Sequence, residues 1–184
     1  MFSCVDTLEA RQIADLLGAS FLIPLLDLGV SIPTRKTTQG SAIADVCGRI
    51  DYVNPGGPTL QDRGVYDPAS LRAEYLRRSA PDAHTEEMQA GYLRGVTEEA
   101  PAVIALNMRA ASTCVMEFIA RAYPFRHEPN AAYARTQFSL AAIEEEAFLV
   151  ESFQLATNPQ FARGDLEPLL GLPALRTPRS RAFA

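Results

Sequence analysis

Apolar residues recur along the chain with two periods, and together these predict an alternation of strands and helices. Met1 to Val5 is a short apolar run that stops at Asp6. From there Leu8, Ile13, Leu16 and Leu17 return at helical spacing, with Gly18 as the expected helix end. Leu22-Ile23-Pro24-Leu25-Leu26 reads as the next buried strand, Pro24 marking its start or an irregular spot. Strand, helix and strand in this order predict half of a doubly wound sheet. Ser31 to Ser41, with Pro33, Gly40 and three threonines, reads as a polar connection or hairpin tip. Ala44, Val46, Gly48, Ile50 and Tyr52 then alternate with Asp45, Cys47, Arg49 and Asp51. This two-residue period predicts a strand with one face in the core and the other wetter.

Pro55-Gly56-Gly57-Pro58 breaks that strand, and residues 59–66 read as a loop. Asp67-Pro68 supplies a cap and a first-turn proline for a helix that turns Leu71, Tyr75 and Leu76 inward. Thr85 to Arg94 reads as a second short helix. Residues 101–123 form the longest one, apolar around most of its circumference and therefore expected in the core, with Met108 and Met116 as packing residues. Tyr133 to Leu140 alternates as a strand and Phe148 to Phe153 is a candidate for another. Glu144-Glu145-Glu146 reads as a solvated face or a helical turn. The expected class is α/β: a partial doubly wound, Rossmann-like sheet with a long core helix and additional β-strands. Residues 1–155 form the domain and residues 156–184 a proline-rich tail.

Composition narrows the partners. The 184 residues suffice for one sizeable core, and a net charge of −5 argues against nucleic acid or an anionic membrane as the main partner. Cys4, Cys47 and Cys114 are too scattered for a disulfide framework and fit a reducing, cytoplasmic setting. The chain contains no Gly-x-Gly-x-x-Gly or Walker-type loop, so it holds no phosphate cradle of its own. His84 and His127 have no cysteine or carboxylate at ligand spacing, and Cys114 sits in an apolar helix where a packed, inert thiol is expected.

Asp6 is the leading site candidate, because ligands of open α/β sheets bind beyond the carboxyl ends of the strands. It has a second reading. Asp6 and Glu9 have the spacing of a capping box, which would make Asp6 the N-cap of the first helix. The two roles are compatible.

Several segments, in order, resemble the later half of the ThiF/MoeB-type adenylyltransferases, relatives of the ubiquitin-activating enzymes. Cys4-Val5-Asp6-x-x-x-x-Arg11 is similar to the family's Asp-Asn-x-x-x-Arg at a strand end. Ile23-Pro24-Leu25-Leu26, Gly48-Arg49-Ile50-x-x-Val53-x-Pro55-Gly56 and Pro101-Ala102-Val103-Ile104-Ala105-Leu106-Asn107 continue the match over about residues 1–125. The resemblance implies ATP-dependent adenylation of the C-terminal carboxylate of a small ubiquitin-like or sulfur-carrier protein. It implies that Asp6 is the catalytic carboxylate and helps hold Mg-ATP, with Thr7 and Arg11 beside it as cofactor-binding candidates. Whether Arg11 supports that site or lies on the helix surface stays open.

The chain also departs from the family. Thr7 replaces the family's Asn, and Thr59 and Asp62 stand where many members carry zinc-binding cysteines, so no zinc is expected. The family's glycine-rich nucleotide loop lies upstream of the matching region. The chain thus reads as a truncated enzyme or a subunit, active only when a nucleotide-binding half completes it and expected as a homo- or hetero-oligomer. The alternative is a non-catalytic subunit that docks a carrier protein or an active adenylyltransferase. A third reading, the distal half of a nicotinamide-dependent enzyme, has no tyrosine–lysine pair to support it.

Overall fold

The computed structural model describes residues 1–38, 40–82 and 103–155. Its centre is a five-stranded mixed sheet ordered β1-β2-β5-β6-β7: β1 (Phe2–Ser3), β2 (Leu25–Ser31), β5 (Cys47–Val53), β6 (Arg135–Ser139) and β7 (Glu144–Phe148). β1 and β2 are parallel and are joined by helix α1 (Leu8–Phe21), which is the strand–helix–strand unit read from the sequence. The remaining neighbours pair antiparallel. The class is mixed α/β. β3 (Thr34–Thr37) and β4 (Gly40–Ile43) form a separate two-stranded ribbon between β2 and β5, so the polar connection is a hairpin.

Helix α1 runs past Gly18, which corrects the expected helix end. Leu22 takes the left-handed conformation at φ 55° and closes the helix instead. Gly18 is there for space: a Cβ would lie 3.2 Å from the Ile23 carbonyl oxygen, which packs where the chain doubles back into β2. For the same reason β2 begins at Leu25 rather than Leu22.

Two-residue alternation sends the two sheet faces to different surroundings. Leu26, Leu28 and Ile50 face helix α3 (Ile104–Ala122) and pack with Phe138, Leu106, Ala110 and Cys114. On the opposite face Leu25 and Val53 join Leu60 and Tyr66, under Leu8 and Ala14 of α1 and Leu71 of α2 (Pro68–Ser79). The Asp67 cap and Pro68 start α2 as expected, with Asp67 and Ser70 bonding each other's backbone.

α3 is long but presents only one face to the core. Ile104, Met108, Val115, Met116 and Phe118 are all exposed, so the two methionines are surface rather than packing residues. The Glu144–Glu146 run is exposed, as expected of a solvated face, but its backbone is strand β7; Val150–Ser152 is a 3-10 turn instead of the strand read there. The expected helix over 85–94, the Pro101 helix start and the tail over 156–184 lie outside the described residues. No helix among the described residues is long and apolar enough to cross a membrane.

Candidate functional site

The carboxyl end of β1 opens onto a cleft of about 370 Å3 on the polar side of the sheet, lined by Asp6, Arg11, Gly29, Cys47, Arg49 and Gln137 among others. Each side chain arrives by register. In β5, Cys47, Arg49 and Asp51 share one face. Arg49 stands opposite Gly29 in β2 and Gln137 in β6, and Asp51 stands opposite Asp27 and Arg135.

The cleft thus brings Asp6 and Arg11 together, and gives them different jobs. Asp6 is exposed and has no hydrogen bond or ion pair among the described residues. Arg11 is buried, settling the open question about its surface. One guanidinium nitrogen donates to both Asp27 carboxylate oxygens, at 2.7 and 2.6 Å, and to the Leu28 carbonyl at 2.7 Å; the other reaches the Val5 carbonyl at 2.7 Å. Arg11 therefore clamps the end of β1 against β2 and fixes the turn that presents Asp6.

Thr7 does not line the cleft. It is the N-cap of α1, accepting the Ala10 N–H at 3.3 Å, which corrects the reading of Asp6 as the cap. The extended backbone at Thr7 places the chain one residue later on the helix than the Asp6–Glu9 spacing indicated, and Glu9 instead pairs with Arg78 at 3.0 Å. The first two helical N–H groups, of Leu8 and Glu9, are taken by the Glu74 carboxylate of α2, each at 3.1 Å.

Behind the cleft lies a buried ionic network. Asp27 accepts from Ser3 at 2.7 Å, from Arg11 and from Arg49 at 3.0 Å. Asp51 accepts from Arg49, from Arg63 at 3.3 Å and from Arg135 at 2.9 Å. The β5 face expected to be wetter is therefore dry at Asp51, because Arg63 from the 59–66 loop folds over it and also donates to the Ala134 and Tyr52 carbonyls. Burial lowers the Arg63 pKa, with Asp51 opposing the shift.

Asp15 of α1 is buried, accepting from the Tyr66 hydroxyl at 2.8 Å and the Gln61 N–H at 3.2 Å. Burial pushes its pKa up to about 6, against the lowering effect of those bonds, and pushes the Tyr66 hydroxyl up as well. Cys114 is packed under the sheet, where burial pushes its thiol up to about 12. No signal in the hydrophobic pattern singles out Asp27, Asp51 or Arg63. Alternating charges on β5 are the one trace of them.

Thr59 and Asp62 bond each other's backbone: the Asp62 carboxylate accepts the Thr59 N–H at 2.9 Å and the Thr59 hydroxyl accepts the Asp62 N–H at 3.2 Å. Among the described residues no three His, Cys, Asp or Glu side chains gather in a metal-binding group. A lone exposed carboxylate such as Asp6 suits Mg2+, which takes most of its ligands from phosphates and water, and does not suit structural zinc. The chain matches no family model, and no curated protein matches its sequence.

Proposed function

We propose that the chain is the carrier-protein side of a ThiF-like adenylyltransferase. In this reading it activates the C-terminal carboxylate of a ubiquitin-like or sulfur-carrier protein with Mg-ATP when a nucleotide-binding α/β half is supplied. The reaction joins a carboxylate oxygen of the carrier to the α-phosphorus of ATP and releases pyrophosphate. Mg2+ would neutralise charge on the phosphates during that transfer.

The observation that carries the reading is the position of Asp6. It stands free at the carboxyl end of a parallel strand, beside a cleft, on a turn fixed by a buried arginine five residues later. Arg11 is engaged with Asp27 and two carbonyls, so its role is to position Asp6 rather than to touch nucleotide.

Two features support a partner half. Among the described residues β1 is at the sheet edge, and beside it Phe2 packs edge-on against Phe118 of α3, with ring centroids 5.5 Å apart and both rings about half exposed. A partner that adds a strand beside the two-residue β1 and a helix beside α3 would cover both features.

One observation favours a non-catalytic binding subunit instead. Glu74 and Thr7 already occupy N–H groups at the start of α1, leaving those donors unavailable to a phosphate. ATP–pyrophosphate exchange separates the two readings. The assay contains the chain, a candidate carrier protein and the nucleotide-binding half of a ThiF-type enzyme. Exchange that needs all three and is abolished by Asp6→Asn supports the enzyme reading. A stable complex without exchange supports the binding subunit.

A further inference from the structure

We propose that Arg49 forms an oxyanion subsite on the sheet face of the cleft, holding a carboxylate or phosphate by its outer guanidinium edge. The first observation is a charge imbalance. Asp27 and Asp51 are linked by ion pairs to Arg11, Arg49, Arg63 and Arg135, so two carboxylates meet four guanidinium groups. The buried Asp15 carboxylate also acts on Arg63, which leaves one guanidinium in excess, and an added anion stabilises such an excess.

The second observation locates the excess. Arg11 and Arg63 each donate to backbone carbonyls as well as to a carboxylate, and Arg135 makes two bonds to Asp51. Arg49 makes one bond to Asp27 and one to Asp51. Three of its five N–H groups have no partner among the described residues, its side chain is 21% exposed, and it lines the cleft. Unpartnered N–H groups on a guanidinium can donate to the oxygens of a carboxylate or phosphate.

The third observation is how it is held. The Arg49 guanidinium lies over Gly29, directly opposite in β2, where a Cβ would come within 3.0 Å of one of its nitrogens, so the missing side chain lets the group pack close against the strand. Gln137 flanks Arg49 on β6 and offers an amide donor at the cleft wall. Glu146 lies one strand further out, opposite Gln137, and does not line the cleft. Asp6 lines the same cleft, so an anion on Arg49 and a metal on Asp6 can share it. The subsite deepens the adenylyltransferase reading, in which a carrier carboxylate and nucleotide phosphates must both be held, yet anion binding is a property of this chain alone.

The test is NMR titration of the full chain at low ionic strength, following the Arg49 Nε–Hε group and the Gly29 and Gly48 amides. The probes are N-acetyl-Gly-Gly as a free carboxylate, its C-terminal amide, and inorganic phosphate. Saturable shifts with the carboxylate but not the amide assign the subsite to a peptide C-terminus, and shifts with phosphate alone assign it to a phosphate. Either supports the proposal. Gln137→Glu puts a competing carboxylate beside Arg49 at an exposed position, and is expected to weaken binding at least tenfold, with only a small drop in the unfolding midpoint from Glu146 opposite it on β7. Arg49→Lys keeps the charge and loses the fork, and is expected to weaken binding too. No saturable shift at Arg49 with any probe, or undiminished binding in Gln137→Glu, overturns the subsite. Failure of pyrophosphate exchange with anion binding intact overturns only the enzyme reading.

Discussion

Asp27 and Asp51 sit directly opposite one another across β2 and β5, both fully buried, and Arg49 donates to both. Two carboxylates at cross-strand positions would repel strongly in a dry environment. Here that repulsion is overcome by four arginines drawn from α1, β5, the 59–66 loop and β6, which ties the strand–helix–strand unit to the antiparallel half of the sheet. Removing one carboxylate leaves arginines buried without their partner. Asp51→Asn is therefore expected to cost roughly 3–5 kcal/mol, read as a lower urea midpoint with an unchanged m-value. Arg78→Ala breaks the Arg78–Glu9 pair, both of whose side chains are more than half exposed, and is expected to cost less than about 1 kcal/mol. Equal losses in the two variants would refute this account of the network.

Asp15 predicts a pH dependence of stability. Its carboxyl is raised from 3.8 to about 6 by burial, so the folded chain binds a proton there that the unfolded chain has released over that interval. The contribution is most favourable below the unfolded pKa and declines as pH rises through about 4 to 6. Above that the buried charge costs roughly 3 kcal/mol relative to acid. In Asp15→Asn this component should vanish, so the wild-type minus variant stability should fall between pH 4 and 6 and then level. A flat difference across that range would contradict the shift.

Gly48 tests the packing between β5 and β6. A Cβ at this position would lie 2.5 Å from the Phe138 ring, which is itself fully buried. Gly48→Ala is expected to destabilise by about 1–3 kcal/mol through overpacking. Adding Phe138→Leu should recover part of that loss, giving a coupling energy in a double-mutant cycle. Strict additivity would mean that the ring moves aside freely.

The sequence conveys the elements better than their environment. The first strand–helix–strand unit, the two-residue period of β5 and the Asp67-Pro68 helix start are legible because each depends on local spacing or local capping. Asp6 at a strand end is legible for the same reason. Thr7 as the cap is not, since both Asp6 and Thr7 are good caps and backbone conformation decides between them. Nothing local marks Asp15, Asp27, Asp51 and Arg63 for burial, because burial of an ion becomes favourable only when its partner arrives from another element. Arg11 and Asp27 are 16 residues apart and Asp51 and Arg135 are 84 apart. The outer face of α3 misleads in the opposite direction, since apolar residues around a helix signal burial and this helix leaves half of them in water.

That outer face carries the last expectation. Ile104, Met108, Ala111, Val115, Phe118 and Ala122 are all exposed and recur at alternating spacings of four and three, the pattern of a helix seam that packs against another helix. Phe118 brings the seam against Phe2 in β1, which is an edge strand among the described residues, so an apolar helix face and a sheet edge adjoin. Exposed apolar side chains gathered on one helix face suit a docking partner. The occupant proposed above, an α/β half that supplies a strand and a helix, covers both at once. The chain alone is then expected to bind a hydrophobic dye strongly or to associate at micromolar concentration. Phe118→Glu, on an exposed position, should reduce either behaviour while leaving the fold intact by circular dichroism. Adding the nucleotide-binding half of a ThiF-type enzyme should suppress both in the wild type and fail to bind Phe118→Glu. A compact monomer by light scattering, with no dye binding, would show that the seam needs no partner and would remove the docking edge on which the two-part enzyme depends.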